Sequence, residues 1–413
     1  MNTKIVGSRT RILILSTGLG TSQADRGLPN ELIDGFLQLN AFVRVVVVDW
    51  HRPVGKPSEV VTLDNGVQAL FTSPFKIRFL GSFIANATKW YLASLPARRD
   101  AKRFLSGDQF DLIMVSSPVV TCGHLLRWAL KRFRCRSFAY LVDFFPFHQR
   151  AAGQLPGGAA LKIMAKMENN LIKLVNVVGC MTKAGEVYLR SHYDIKADQR
   201  VASVTLWGDP SLPPDDNHVT IRNEFSLPTT GPIAVFGGQI SEGRGIEDIL
   251  TAAKIAHTKS LDLHFLFIGA GRLEPLVAAF IAEGRGNVSI YPPVGRNVYL
   301  RILTACDIGL VATIANTNVP TFPSKTMDYL RAGLPVVASV EDSTDYTDFV
   351  VRWGFGTCVP ASQPDEFLAA ICGILNDKRR VAVMRDAGRR ALREEFSPDV
   401  AARRILELSG LVN

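Results

Sequence analysis

The stretch "TFPSKTMDYLRAGLPVVAS", residues 321–339, decides how this chain is read. Proline suits the first turn of a helix, where its missing N–H is not needed, so Pro323 marks a helix start. Gly333 suits the left-handed position just past a helix end. Leu334 to Ala338 then reads as a short buried strand. The segment predicts a helix running straight into a strand, half of an α/β unit. Its first turn offers unpartnered backbone N–H groups and a lysine, which together favour an anion. Lys325 and Asp328, three apart, are neighbours on the helix surface. An ordinary solvated ion pair is the plain alternative.

The same alternation extends outward in both directions. Upstream, Ile233–Phe236, His264–Ile268, Ser289–Tyr291 and Ile308–Ala312 are short apolar runs with helical patterns between them. Towards the N-terminus, Arg11–Ser16, Val43–Trp50, Asp111–Ser116, Ser137–Val142 and Val175–Met181 repeat the pattern, with a helical stretch from Pro29 to Leu39. Strands separated by helices read as βα units on parallel sheets. Between the halves lies "GDPSLPPDDNHVTIRNEFSLPTTGP", residues 208–232, whose prolines, acids and turn residues predict a linker. Two doubly wound domains so joined are expected to face each other across a cleft at the carboxyl ends of their strands, where α/β folds bind ligands.

Composition sets limits on function. A chain of 413 residues, 47% hydrophobic and 21% charged, is globular and too long for one ordinary core. Its six cysteines are scattered, with no C-x-x-C, which argues for a reducing compartment and against a metal framework. The N-terminus turns polar again after a short apolar run, so it is expected to enter a first strand rather than act as a secretion signal. No run of 18 apolar residues predicts a spanning helix. Charge is uneven. Residues 1–210 hold 27 Lys and Arg against 15 Asp and Glu, and residues 211–413 hold 20 against 23. A basic half beside a near-neutral one suggests that one half faces an anionic surface.

Three strand-to-turn motifs carry chemistry. In "VFGGQISEGRGIEDILTAA" a strand ends at Phe236, Gly237 and Gly238 follow, and Arg244 and Gly245 precede a helix. Glycines at such a turn let backbone N–H groups approach a phosphate, and Arg244 could neutralise it. The spacing is not G-x-G-x-x-G, which argues against a dinucleotide cofactor. "FLFIGAGRLEPL" places Gly269 and Gly271 at another strand end, and "NVSIYPPVGRNVYLRILTACDIGLV" adds a Pro/Gly turn at Val294 and Gly295.

The order of these motifs, closing with Ala-Gly-Leu-Pro-Val-Val-Ala-Ser, resembles the donor-binding half of family 4 retaining glycosyltransferases of the two-Rossmann GT-B type, in particular a bacterial surface-polysaccharide branch. The match is strong over residues 233–410 and loose over 50–135. "VNVVGCMTKAGEVYL", "VTLWGDP", "LVDFFP" and the closing "EEFSPDVAARRILEL" extend it along nearly the whole chain. The resemblance implies an N-terminal acceptor- and membrane-facing domain over 1–210 and a linker over 211–231. A nucleotide-sugar domain then spans 232–396, and a helix over 397–413 crosses back to the first domain.

The implied activity is transfer of a sugar from a UDP- or GDP-sugar to a lipid-linked glycan, with retention of configuration. The helix at Pro323, Ser324 and Lys325 points at the donor diphosphate, and Asp328 holds the ribose hydroxyls. Gly18, Gly20, Gly238, Gln239, Arg244, Gly269, Gly271, Val294 and Gly295 complete the implied donor site. Asp143 and His148, with Arg244 and Lys325, are the implied catalytic residues. Four positions depart from the family pattern: Gln239 replaces a basic residue, Pro320 and Asp328 stand where a Glu-x7-Glu pattern has its two acids, and Val142 replaces a histidine that precedes the aspartate in many relatives. The absence of an Asp-x-Asp motif predicts no obligatory metal or other cofactor.

The segment 75–105 mixes aromatic and basic residues, the composition of an interfacial segment. Lys76, Arg78, Trp90, Arg98, Arg99, Lys102 and Arg103 are its expected membrane-facing residues, on the inner face of the cytoplasmic membrane. An amphipathic core helix with a solvated basic face is the plain alternative. Two rival functions remain at this level. A catalytically reduced subunit that binds nucleotide sugar would account for Gln239 and Pro320. A nucleic-acid-binding protein would account for the basic half, although no such module is visible.

Overall fold

The computed structural model describes residues 9–75, 90–153, 155, 157–213, 217–284, 287–315 and 317–412. The chain divides into two compact units, one formed by residues up to 150, 154–205 and 398 onward, the other by 151–153 and 206–397.

The first unit is built on eight strands: β1 (Arg11–Ser16), β2 (Phe42–Val48), β3 (Glu59–Thr62), β4 (Gln68–Thr72), β5 (Leu112–Ser116), β6 (Arg136–Leu141), β7 (Val177–Cys180) and β8 (Arg200–Ser203). Their order is β3-β4-β2-β1-β5-β6-β7-β8, parallel except for the β3–β4 pair. The central strands read as unbroken apolar runs because helices cover both faces of a parallel sheet. Ile12, Leu13, Leu15, Val45, Val46 and Val47 are accordingly solvent-free. The final helix, Pro398–Leu408, packs on the helix Leu28–Gln38, so the C-terminal residues complete this unit. That contact is close enough that a side chain at Gly35 would fall on the Pro398 carbonyl.

The second unit has six parallel strands: β9 (Ile233–Gly237), β10 (His264–Ile268), β11 (Val288–Tyr291), β12 (Ile308–Ala312), β13 (Val336–Val340) and β14 (Gly356–Pro360). Their order is β11-β10-β9-β12-β13-β14. The order reverses beside β9, the switch point at which doubly wound sheets open a crevice at their carboxyl ends. Phe236, Phe265, Phe267, Ile308 and Leu310 fill the core beneath it. Full burial of each such side chain contributes about 1.5–3 kcal/mol.

The expected linker is corrected in part. Residues 218–224 form a helix, His218–Glu224, whose start is capped by the Asn217 side chain accepting from Val219 N–H at 2.8 Å. Buried Arg222 secures it, donating to the Ala305 and Gly231 carbonyls and to Asp307. Composition could not show this, because Arg222's acceptors lie up to 85 residues away in sequence.

Candidate functional site

The helix announced by the opening stretch spans Lys325–Ala332 and ends at Gly333 in the left-handed conformation, φ 76°. Its buried face carries Met327, Tyr329 and Leu330. Tyr329 locks it to the sheet: its hydroxyl accepts from Gly237 N–H at 2.9 Å and donates to the Leu310 carbonyl at 3.1 Å. Gly309 on β12 makes room for the Tyr329 ring. The start of this helix therefore stands at the carboxyl end of β9, beside the glycine turn.

A pocket of about 500 Å³ opens at that place. Its floor is the strand ends Gly237–Gly238 and Ile268–Gly269, and its walls include Gln239, Arg244, Val294, Tyr299 and the Pro323–Lys325 turn with Asp328. Two crossing turns shape the floor. Gly238 N–H donates to the Ile268 carbonyl at 2.9 Å, and Gly269, at φ 144°, sits so close that a Cβ would strike the Gly238 carbonyl. A Cβ at Gly237 would likewise fall on the Tyr299 hydroxyl.

The pocket's electrostatics favour an anion. Lys325 lies with Nζ 3.3 Å from the centre of the Phe236 ring, a cation–π contact. Neither Lys325 nor Arg244 has a hydrogen-bonded or ion-paired acid among the described residues. Burial, and then the charge of Arg244, push the Lys325 ammonium well below its usual pKa. Two cations share one pocket, so a bound anion would relieve their repulsion. Asp328, 15% exposed in its side chain, pairs with Arg296 Nη2 at 2.8 Å. Burial raises its pKa, against the opposing pull of Arg296.

Of the expected donor residues, Gly238, Gln239, Arg244, Gly269, Val294, Pro323, Ser324, Lys325 and Asp328 line this one pocket. Gly271 and Gly295 do not line it: Gly271 packs against the Ile240 carbonyl, and Gly295 precedes the helix Arg296–Thr304. Gly18 and Gly20 belong to the other unit, after β1. There the Asn30 side chain grips Gly20, accepting from its N–H at 3.0 Å and donating to its carbonyl at 2.9 Å. Sequence reasoning missed Tyr299 and Arg296, both on the helix after the Val294–Gly295 turn. The i, i+3 spacing from Arg296 to Tyr299 was the only signal.

In the first unit, Asp143 and His148 follow β6, with His148 Nε2 3.8 Å from Asp143 Oδ1. Arg98, Arg99, Lys102 and Arg103 are exposed on the helix Ala97–Phe104, while Ala97 and Ala101 face inward. Trp90 is half-buried, stacked on Phe145 at 4.7 Å and edge-on to Trp50 at 4.5 Å, so its ring belongs to an aromatic cluster rather than an open face. Lys76 and Arg78 lie outside the described residues. No helix among the described residues is long and apolar enough to cross a membrane.

Comparison with known proteins defines the class. The two parallel-sheet, Rossmann-like units match GT-B glycosyltransferase structures. The crystal structure of Anabaena HepE in complex with UDP superposes with a TM-score of 0.65 at 12% identity, over 96% of this chain and 99% of that one. Residues 231–377, which contain the whole pocket, match the family model described as "Glycosyl transferases group 1". The chain is a glycosyltransferase.

Its curated relatives are more particular. The chain is 26% identical over 298 residues to the putative colanic acid biosynthesis glycosyl transferase WcaI of Escherichia coli, covering 69% of this chain and 71% of that one. It is 22% identical over 198 residues to a GDP-mannose-dependent mannosyltransferase acting on a monoacylated phosphatidylinositol monomannoside in Corynebacterium glutamicum. That match covers 47% of this chain and 51% of the relative.

Proposed function

We propose that this glycosyltransferase moves a sugar from a UDP- or GDP-sugar to a lipid-linked glycan, with retention, in the assembly of a cell-surface polysaccharide. The observation that carries the reading is the pair Arg244 and Lys325, two cations without acidic partners at a glycine-floored pocket beside a carboxylate. A nucleoside diphosphate fits this arrangement. Its phosphates meet the two cations and the N–H groups at the glycine turn and helix start. Vicinal ribose hydroxyls donate to Asp328, which accepts two such bonds well. The base lies toward Val294.

In the proposed reaction the acceptor hydroxyl attacks the anomeric carbon on the face from which the diphosphate departs. The bond from that carbon to the diphosphate oxygen breaks, and the hydroxyl proton passes to the departing phosphate. Arg244 and Lys325 stabilise the charge that grows on that phosphate, and the pocket holds the reactants in place. Asp143 and His148 orient the acceptor.

The Corynebacterium glutamicum relative acts on a glycolipid, which supports a glycolipid acceptor here. An anionic leaflet would attract Arg98, Arg99, Lys102 and Arg103, placing the enzyme peripherally on the inner face of the membrane. The test is purified protein with a panel of UDP- and GDP-sugars and a polyprenyl diphosphate saccharide, following sugar release and the product's anomeric signal by NMR. Transfer with retained configuration is expected. An inverted product, or no turnover with any nucleotide sugar, would overturn the reading.

A further inference from the structure

Glu341, just past β13, is a buried acid with no place in the reaction described above. It is 4% exposed, and no ion pair holds it among the described residues. Its carboxylate instead accepts hydrogen bonds from two threonine hydroxyls: Thr313, at the end of β12, and Thr321, at 2.9 Å. Its own N–H donates back to Thr313 Oγ1 at 3.0 Å. An isolated buried carboxylate is costly, and desolvation indeed raises its pKa against these hydrogen bonds. Such a group is expected where several oriented donors are needed at one point.

Of the two elements it ties, one delivers a pocket cation and the other supports the turn that holds the second. Thr321 stands four residues before Lys325, and the Thr344 hydroxyl fixes its carbonyl at 2.6 Å. Phe322 is wedged against Tyr346 and Phe349, and Thr326 is hydrogen-bonded to the Tyr346 hydroxyl at 2.7 Å. On the other side, Gly245, next to Arg244, rests on the end of β12, where a Cβ would lie 2.6 Å from Ala312 Cβ and 3.0 Å from the Thr313 carbonyl. The Glu341 carboxylate thus joins the strand end beneath Arg244 to the turn that delivers Lys325.

We propose that Glu341 is a positioning residue that sets the spacing of Arg244 and Lys325 for a diphosphate. The inference rests on the donor-site reading and adds to it the group that keeps two mutually repelling cations aimed at one ligand. A carboxylate accepts from both threonines at once. Glutamine, of equal shape, presents one oxygen and one NH2, so one threonine hydroxyl loses its acceptor and must reverse its hydrogen bond or turn away.

The test compares UDP and GDP with uridine and guanosine by calorimetry, with folding followed by circular dichroism. Glu341→Gln is expected to remain folded and to lose diphosphate affinity about tenfold, the scale of one charge-assisted hydrogen bond, with nucleoside affinity unchanged. Thr321→Val should give the same pattern more weakly, and Thr321→Ser should restore wild-type affinity. If Glu341→Gln fails to fold, the Thr321 pair decides alone. Equal losses for diphosphate and nucleoside, following stability, would reduce Glu341 to a structural role and overturn the proposal. Wild-type affinity in the folded variant would overturn it as well. Failure of the wild-type protein to bind either diphosphate would overturn the donor-site reading itself, and this inference with it.

Discussion

The two units use charge in opposite ways. In the C-terminal unit, Arg244 and Lys325 are half-buried in a pocket without acidic partners, and Lys325 is held well below its normal pKa. In the N-terminal unit, Arg98, Arg99, Lys102 and Arg103 stand exposed on a helix whose alanines face the core. Desolvated charge is strong and specific, whereas exposed charge is weak singly, additive and screened by salt. The first suits one small anion and the second an extended anionic surface. The contrast can be broken at either end.

The largest effect is expected at the exposed helix. Replacing Arg98, Arg99, Lys102 and Arg103 together with Gln should cost about 4 kcal/mol of attraction to anionic vesicles, at about 1 kcal/mol per basic residue near the surface. Sedimentation with anionic and neutral vesicles at low and high salt measures it, and donor hydrolysis by the variant should persist. Equal binding to both vesicle types would return these residues to an ordinary solvated face.

Next comes Lys325→Ala, expected to weaken nucleoside diphosphate binding by about 1.5–3 kcal/mol, the range for a hydrogen bond to a charged group. Calorimetry reads this, and the melting temperature should barely move because a strained cation is being removed. Tyr329→Phe sharpens the comparison from beneath the pocket. It leaves the buried Gly237 N–H and Leu310 carbonyl without their partner, at about 1–3 kcal/mol of stability in urea unfolding.

The smallest effect is a pH dependence. Lys325 loses its proton at lower pH than a free lysine, and a bound diphosphate favours the protonated form. Affinity should be full below the depressed pKa and fall as pH rises through it, and Lys325→Ala should flatten that slope. The exposed arginines should add no such slope to vesicle binding.

What could be read from sequence follows the same divide between buried and exposed. Strands buried on both faces were legible nearly to the residue: Arg11–Ser16, His264–Ile268 and Ile308–Ala312. Strands β3, β4, β8 and β14 were not. β3 is largely exposed and β14 half-exposed, while polar residues at both ends of β4 and β8 leave each only a short apolar middle that shows no period. Most of the pocket lining was legible because glycine turns and a helix ending in glycine leave local signatures. Arg296, Tyr299 and Glu341 were not, because their roles depend on contacts between separate elements. The Tyr329 bond to Gly237, spanning 92 residues, has no trace in either segment alone.

The position of a bound donor nucleotide is the most direct test of the roles given to Arg244, Lys325 and Asp328. A crystal structure with UDP or GDP shows it. The diphosphate is expected against Gly238, within hydrogen-bonding reach of Arg244 and Lys325 Nζ, with the ribose hydroxyls on Asp328. A nucleotide bound elsewhere, or one lying in this pocket with its phosphates turned away from Arg244 and Lys325, would contradict those roles.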